Sequence, residues 1–266
     1  MGLPLLPLGI VIAGFYPWRK VCPLAFWGEQ GRRLKGDRKQ RRVPKWMERH
    51  YPLITLGVLF LGLTGRLLAT NGDGIFLGSL LIALGVAAAA TNFFTTGKTW
   101  CNFVCPVSIV ERIYTEPNSL RREENSQCTK CTACKKNCPD IDQENSYWKD
   151  VDQAARKIAY YSFPGLVLAF YTYFWLRDGD WEAYFGGGWT IQPVTGDLLA
   201  GEGFFFAPSI PAYVAAPLSL AVFMLVSFGL FTAIEAVVQR WWTDDEVRRH
   251  RVLTLAAFTA FNTFYL

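Results

Sequence analysis

Histidine is nearly absent from this sequence: only His50 and His250 occur in 266 residues. Both lie among basic residues at the ends of apolar runs rather than within one, which argues against a haem held between helices. No GxGxxG follows a strand, no Walker loop or HExxH is present, and no nucleophile stands beside a base. The usual dinucleotide, nucleotide and metalloprotease sites are therefore excluded. The first apolar stretch lacks a basic leader and a small-residue cleavage site, so it does not read as a signal peptide.

Apolar residues are abundant instead. A hydrophobic share of 51% with 15% aromatics is high for a soluble domain and predicts an α-helical polytopic membrane protein. Expected spans run from 52 to 70, 75 to 96, 160 to 176 and 212 to 238. The stretches 3–16 and 252–266 are apolar but short for a complete span, which predicts a natural chain that starts earlier and continues further. The sequence thus divides into a membrane region over 1–96, a polar module over 97–157 and a second membrane region over 158–266.

Charge orders these segments. Between Arg19 and Arg49 stand eleven Lys and Arg against Glu29, Asp37 and Glu48. Nucleic acid or anionic lipid would suit such a run, but its apolar flanks favour a cytoplasmic juxtamembrane loop, and no nucleic-acid partner is expected. The loop from 177 to 211 holds Asp178, Asp180, Glu182, Asp197 and Glu202 with Arg177 as its one basic residue, and belongs on the opposite side. Alternation through the spans then puts the module on the cytoplasmic face of a bacterial inner membrane, with the bilayer itself as the first partner. Trp175, Trp181, Trp189, Trp241 and Trp242 fit a belt at the two interfaces. Glu235, an ionisable group inside the last full span, is expected in an interfacial ion pair near Gln239 and Arg240.

Seven cysteines make an odd number for a disulfide framework, and six of them fall between Cys101 and Cys138. Metal ligation in a reducing compartment accounts for this better. Cys128, Cys131, Cys134 and Cys138, the last followed by Pro139, have the spacing of a bacterial ferredoxin run that ligates a [4Fe-4S] cluster. A cysteine at every third position lets one loop wrap several thiolates round a cubane, with small and polar residues between them. Zinc sites usually separate two CxxC units by a longer spacer. Lys130, Lys135 and Lys136 would raise the cluster's potential and attract an acidic donor, while Asp140, Asp142 and Glu144 read as a solvated face. Upstream, WCNFVCP places Cys101 and Cys105 at the end of the second full span, four residues apart and on one face if helical. Val21, Cys22 and Pro23 echo that unit after the first apolar run.

Helices ending in CxxxCP and followed by CxxCxxCxxxCP resemble the NapH/NosR/CcoG-type membrane polyferredoxins. The resemblance rests on Cys101, Cys105, Cys128, Cys131, Cys134 and Cys138, with support from Cys22. It implies single-electron transfer through cysteine-bound [4Fe-4S] centres to or from a partner such as a ferredoxin, a flavodoxin or a quinol-linked enzyme. A redox-sensing regulator or an assembly factor for a respiratory metal centre is the alternative from another class. Family members commonly carry two ferredoxin runs, whereas this chain has one. In two-cluster ferredoxins the cysteine before proline serves the other cluster, so Cys138 could join Cys101 and Cys105 at a second site. Eight ligands would then be needed from seven cysteines, and whether Cys138 or Cys105 is the fourth ligand of the first cluster stays open.

Overall fold

The computed structural model describes residues 21–36, 39–70, 72–108, 154–187, 199–243 and 252–253. Their main helices are α1 (Pro23–Leu34), α2 (Lys45–Gly65), α3 (Gly74–Phe94), α4 (Ala154–Asp178), the short α5 (Glu182–Phe185) and α6 (Ala212–Gln239). Among the described residues no strand forms, only isolated bridges between Arg41 and Thr95 and between Glu202 and Pro211.

Among the described residues three stretches are long and apolar enough to cross a membrane: Lys45–Ala69, Gly74–Phe94 and Ala212–Gln239. They overlie three of the expected spans. Helix α2 starts seven residues before Pro52 and carries that proline inside it. It then widens into a π-helical turn at Arg66–Thr70. The turn back into α3 is set by Asp73, whose carboxylate accepts from the N–H groups of Ile75 (2.8 Å) and Phe76 (3.1 Å). That satisfies two of the amides which a helix N-terminus leaves without partners.

Helix α4 covers the expected span 160–176 and runs unbroken through Pro164. It is not among the three most apolar stretches. The reason is its place: Tyr160, Tyr161, Leu166, Ala169, Phe170, Tyr173 and Phe174 are all buried against protein. A helix surrounded by other helices can carry tyrosines that a lipid-facing surface would disfavour. Its main neighbour is α6. A methyl group added at Gly165 would overlap the Phe223 carbonyl oxygen, so the two backbones meet where the side chain is smallest. Across this seam the Ser227 hydroxyl donates to the Tyr161 carbonyl (2.6 Å). Helix α2 with Leu56, and the π-helical turn after it with Leu67, complete the core.

A second seam was not expected. The basic stretch read as a loop contains α1, which packs on α3. Methyl groups at Gly28 and Gly31 would overlap the Asn92 side chain and the Ala89 backbone, so these glycines permit the contact. Proline at its first position and no proline inside made this helix readable. The density of charge around it masked the signal.

At the far end of the bundle two of the expected belt aromatics, Trp175 and Trp181, pack on neighbouring rings, while Trp189 lies outside the described residues. Trp175 meets Phe205 with ring centroids 5.3 Å apart, and Trp181 meets Tyr184 at 5.9 Å. The Phe205 N–H donates to the Leu176 carbonyl (3.0 Å), so the loop before α6 caps the end of α4.

Candidate functional site

Cys128, Cys131, Cys134 and Cys138 lie outside the described residues, as do the lysines and carboxylates around them. Cys101 and Cys105 lie inside, on a structure that explains their motif. After α3 the chain forms a π-helical turn, Trp100–Val104, closed by the Cys105 N–H donating to the Trp100 carbonyl at 2.8 Å. Such one-turn widenings occur frequently at functional sites. Cys105 leaves the turn with φ −57° and ψ 123°. Pro106 imposes this, because its ring clashes with a helical conformation in the residue before it.

Cys22 has nearly the same backbone, φ −65° and ψ 122°, ahead of Pro23. The two Cys-Pro units are thus conformational equivalents used in opposite ways: one ends a π turn and the other starts α1. The fold also brings the segments together. Leu24 and Ala25 of α1, and Leu84 and Ala87 of α3, pack against a buried group made of Ala88, Trp100, Cys101 and Cys105. Cys101 is 7% exposed and Cys105 4%, while Cys22 is half-buried.

Asn92 holds this region in place. Its carbonyl accepts from Gln40 Nε2 (2.7 Å), and its side-chain oxygen accepts from the Trp100 N–H (3.0 Å). The Thr96 N–H donates to the Arg41 carbonyl, and the Arg41 N–H to the Phe94 carbonyl, at 3.0 and 2.9 Å. The π turn is therefore fastened to α3 through Asn92, and the end of α3 to the basic stretch. Sequence reasoning missed Asn92 and Gln40. An asparagine inside an apolar run was the available signal, since such a group must find a partner when buried.

Two buried donors in the same region are unengaged. Trp100 Nε1 and Ser108 Oγ have no hydrogen-bond partner among the described residues, although Trp100 is 3% and Ser108 1% exposed. Leaving a buried donor unmade costs about 1–3 kcal/mol. Two buried thiols, and two N–H and O–H donors without a partner among the described residues, thus fall within one stretch, Trp100 to Ser108. The set is not complete by itself: among the described residues no three His, Cys, Asp or Glu gather as a metal site, so Cys22 does not close a triad with Cys101 and Cys105. The donor chemistry fits half of a cysteine-ligated centre, and the remaining ligands would have to come from elsewhere.

Glu235 is placed differently from expectation. It is 3% exposed and ion-paired with Lys157 of α4 rather than with its own neighbour Arg240. The fully buried Arg156 lays its guanidinium over the Tyr160 ring at 4.9 Å. These residues form the first turn of α4, where the chain returns from the cysteine module. His50 Nδ1 lies 2.8 Å from the Trp46 carbonyl at the exposed start of α2.

No family model matches this chain, and no curated protein or solved structure matches it.

Proposed function

We propose that this chain is a multi-pass membrane protein that passes single electrons to or from a partner redox protein. On this reading Cys128, Cys131, Cys134 and Cys138 hold a [4Fe-4S] cluster on the cytoplasmic side of a bacterial inner membrane. The observation that carries the proposal is the ferredoxin spacing of those four cysteines before Pro139. Support comes from Cys101 and Cys105, buried after the end of α3 in a stretch that also holds two buried donors without a partner among the described residues. When bound, a cluster of this kind supplies one-electron redox chemistry. The residues of the chain contribute its ligands, the hydrogen bonds and charge that set its potential, and the burial that keeps water away.

Whether Cys101 and Cys105 belong to a second centre is decided by iron content. Purified anaerobically, the protein with one centre holds about four irons and the protein with two holds about eight. Electron paramagnetic resonance on reduced and oxidised samples of wild type, Cys138→Ala and Cys101→Ser gives the assignment. A reduced-cluster signal abolished by Cys138→Ala and untouched by Cys101→Ser corresponds to one centre at the ferredoxin run. Eight irons with one signal lost in each variant corresponds to two. Zinc in place of iron would sink the electron-transfer reading.

A further inference from the structure

We propose that the basic stretch 39–45 is a binding surface for the headgroup of an anionic glycerophospholipid. This goes beyond a topology signal, and it rests on the reading of α2 and α3 as membrane spans, not on electron transfer.

Position supports it first. Helix α3 has 21 residues, or about 32 Å at 1.5 Å per residue, close to the hydrocarbon thickness of about 30 Å. With Asp73 at one face of the bilayer, Phe94 is at the other and Thr95 enters the headgroup layer. Arg41 is bonded there through its backbone, to Phe94 and Thr96. The stretch is therefore held at headgroup depth before any lipid arrives, and it does not need to be ordered on binding.

The side chains fit the same partner. Lys39, Arg41, Arg42 and Lys45 are exposed, and none is paired with a carboxylate among the described residues. By contrast Arg32 and Arg33, on the neighbouring α1, both lean on Glu29. Beside the free cations stand two apolar rings, Trp46 at 58% and Phe94 at 64% exposed. A soluble acidic protein would match the charge alone. A lipid matches the charge with its phosphate and the rings with its acyl and glycerol region.

The test uses the full chain in vesicles carrying spin-labelled phosphatidylglycerol or spin-labelled phosphatidylcholine. The protein-immobilised lipid fraction is read for wild type and for K39A/R41A/R42A/K45A. The wild type should prefer phosphatidylglycerol by at least fivefold, the weight of one such cation, and added salt should reduce the preference. The quadruple variant should fall below twofold, and K39R/K45R should keep the wild-type value. Because Arg41 holds its place through backbone groups, the variant keeps the anchoring bonds, which unchanged hydrogen exchange over α1 would verify. Equal preference in wild type and quadruple variant would overturn the proposal. So would full displacement by millimolar inorganic phosphate, which marks a free-ion site. Unchanged lipid selection with lost reduction by an acidic carrier protein would overturn it too, in favour of a protein dock. Extraction of the chain by alkaline carbonate would remove the membrane reading beneath it.

Discussion

The α4–α6 seam and the α1–α3 seam are built alike but finished differently. Each brings two backbones together over glycine, Gly165 in one and Gly28 with Gly31 in the other. Each adds a polar tie between elements, Ser227 to the Tyr161 carbonyl and Gln40 to the Asn92 carbonyl. In the first seam the buried carboxylate Glu235 already has its cation, Lys157. In the second, two buried thiols share their region with the unengaged donors Trp100 Nε1 and Ser108 Oγ. Helices α4 and α6 also hold buried hydroxyls without a partner among the described residues, Tyr173 Oη and Thr232 Oγ1, so what distinguishes the second seam is its pair of buried thiols where the first has a closed ion pair.

The comparison can be broken most forcefully at the ion pair. Lys157→Met leaves Glu235 buried without its cation and should cost about 3 kcal/mol in unfolding measured by detergent titration. The double variant K157M/E235L should regain most of that, because the uncompensated charge is gone. A neutral single variant would show that Glu235 has another partner and that the seam is not closed by this pair.

A smaller effect is expected from Gly31→Ala, about 2 kcal/mol, since the added methyl meets the Ala89 backbone rather than a side chain that can move. The loss should be local. Hydrogen exchange should rise over α1 and leave α4 and α6 protected, as expected of two separately packed seams. Equal loss across both would merge them into one unit.

Trp100→Phe sharpens the contrast by its sign. In iron-free protein, removing an unpaired buried N–H should stabilise by about 1 kcal/mol. In iron-loaded protein the same change should shift the centre's reduction potential if the indole donates to a ligand sulfur. A destabilised iron-free variant would mean that Trp100 Nε1 is already paired. The smallest effect belongs to Ser227→Ala, about 0.6 kcal/mol, typical of a hydrogen bond between membrane helices. A loss several times larger would make that tie a principal fastening of the α4–α6 seam.

The part of the candidate site that the structure describes was legible where its information is local: the Cys-Pro pairs at 22 and 105 dictate the backbone they adopt. Helix α1 was hidden by the charge around it, and the partner of Glu235 was assigned by nearness in sequence. That assignment failed because Arg240 extends past the end of α6, whereas Lys157 comes from the facing helix.

By itself the sequence determined that apolar spans lie over 52–70, 75–96 and 212–238, which the structure sets at 45–69, 74–94 and 212–239, and it determined the cysteine units with their prolines. Each of these depends on residues within a few positions of one another, on hydropathy or a proline ring. Tertiary structure alone decided that α4 is enclosed, that α1 lies on α3, and that Gln40 reaches Asn92 across 52 residues of chain. The physical reason is that periodicity states which face must be covered, while only packing, through the few glycines that admit a close approach, states which helix covers it.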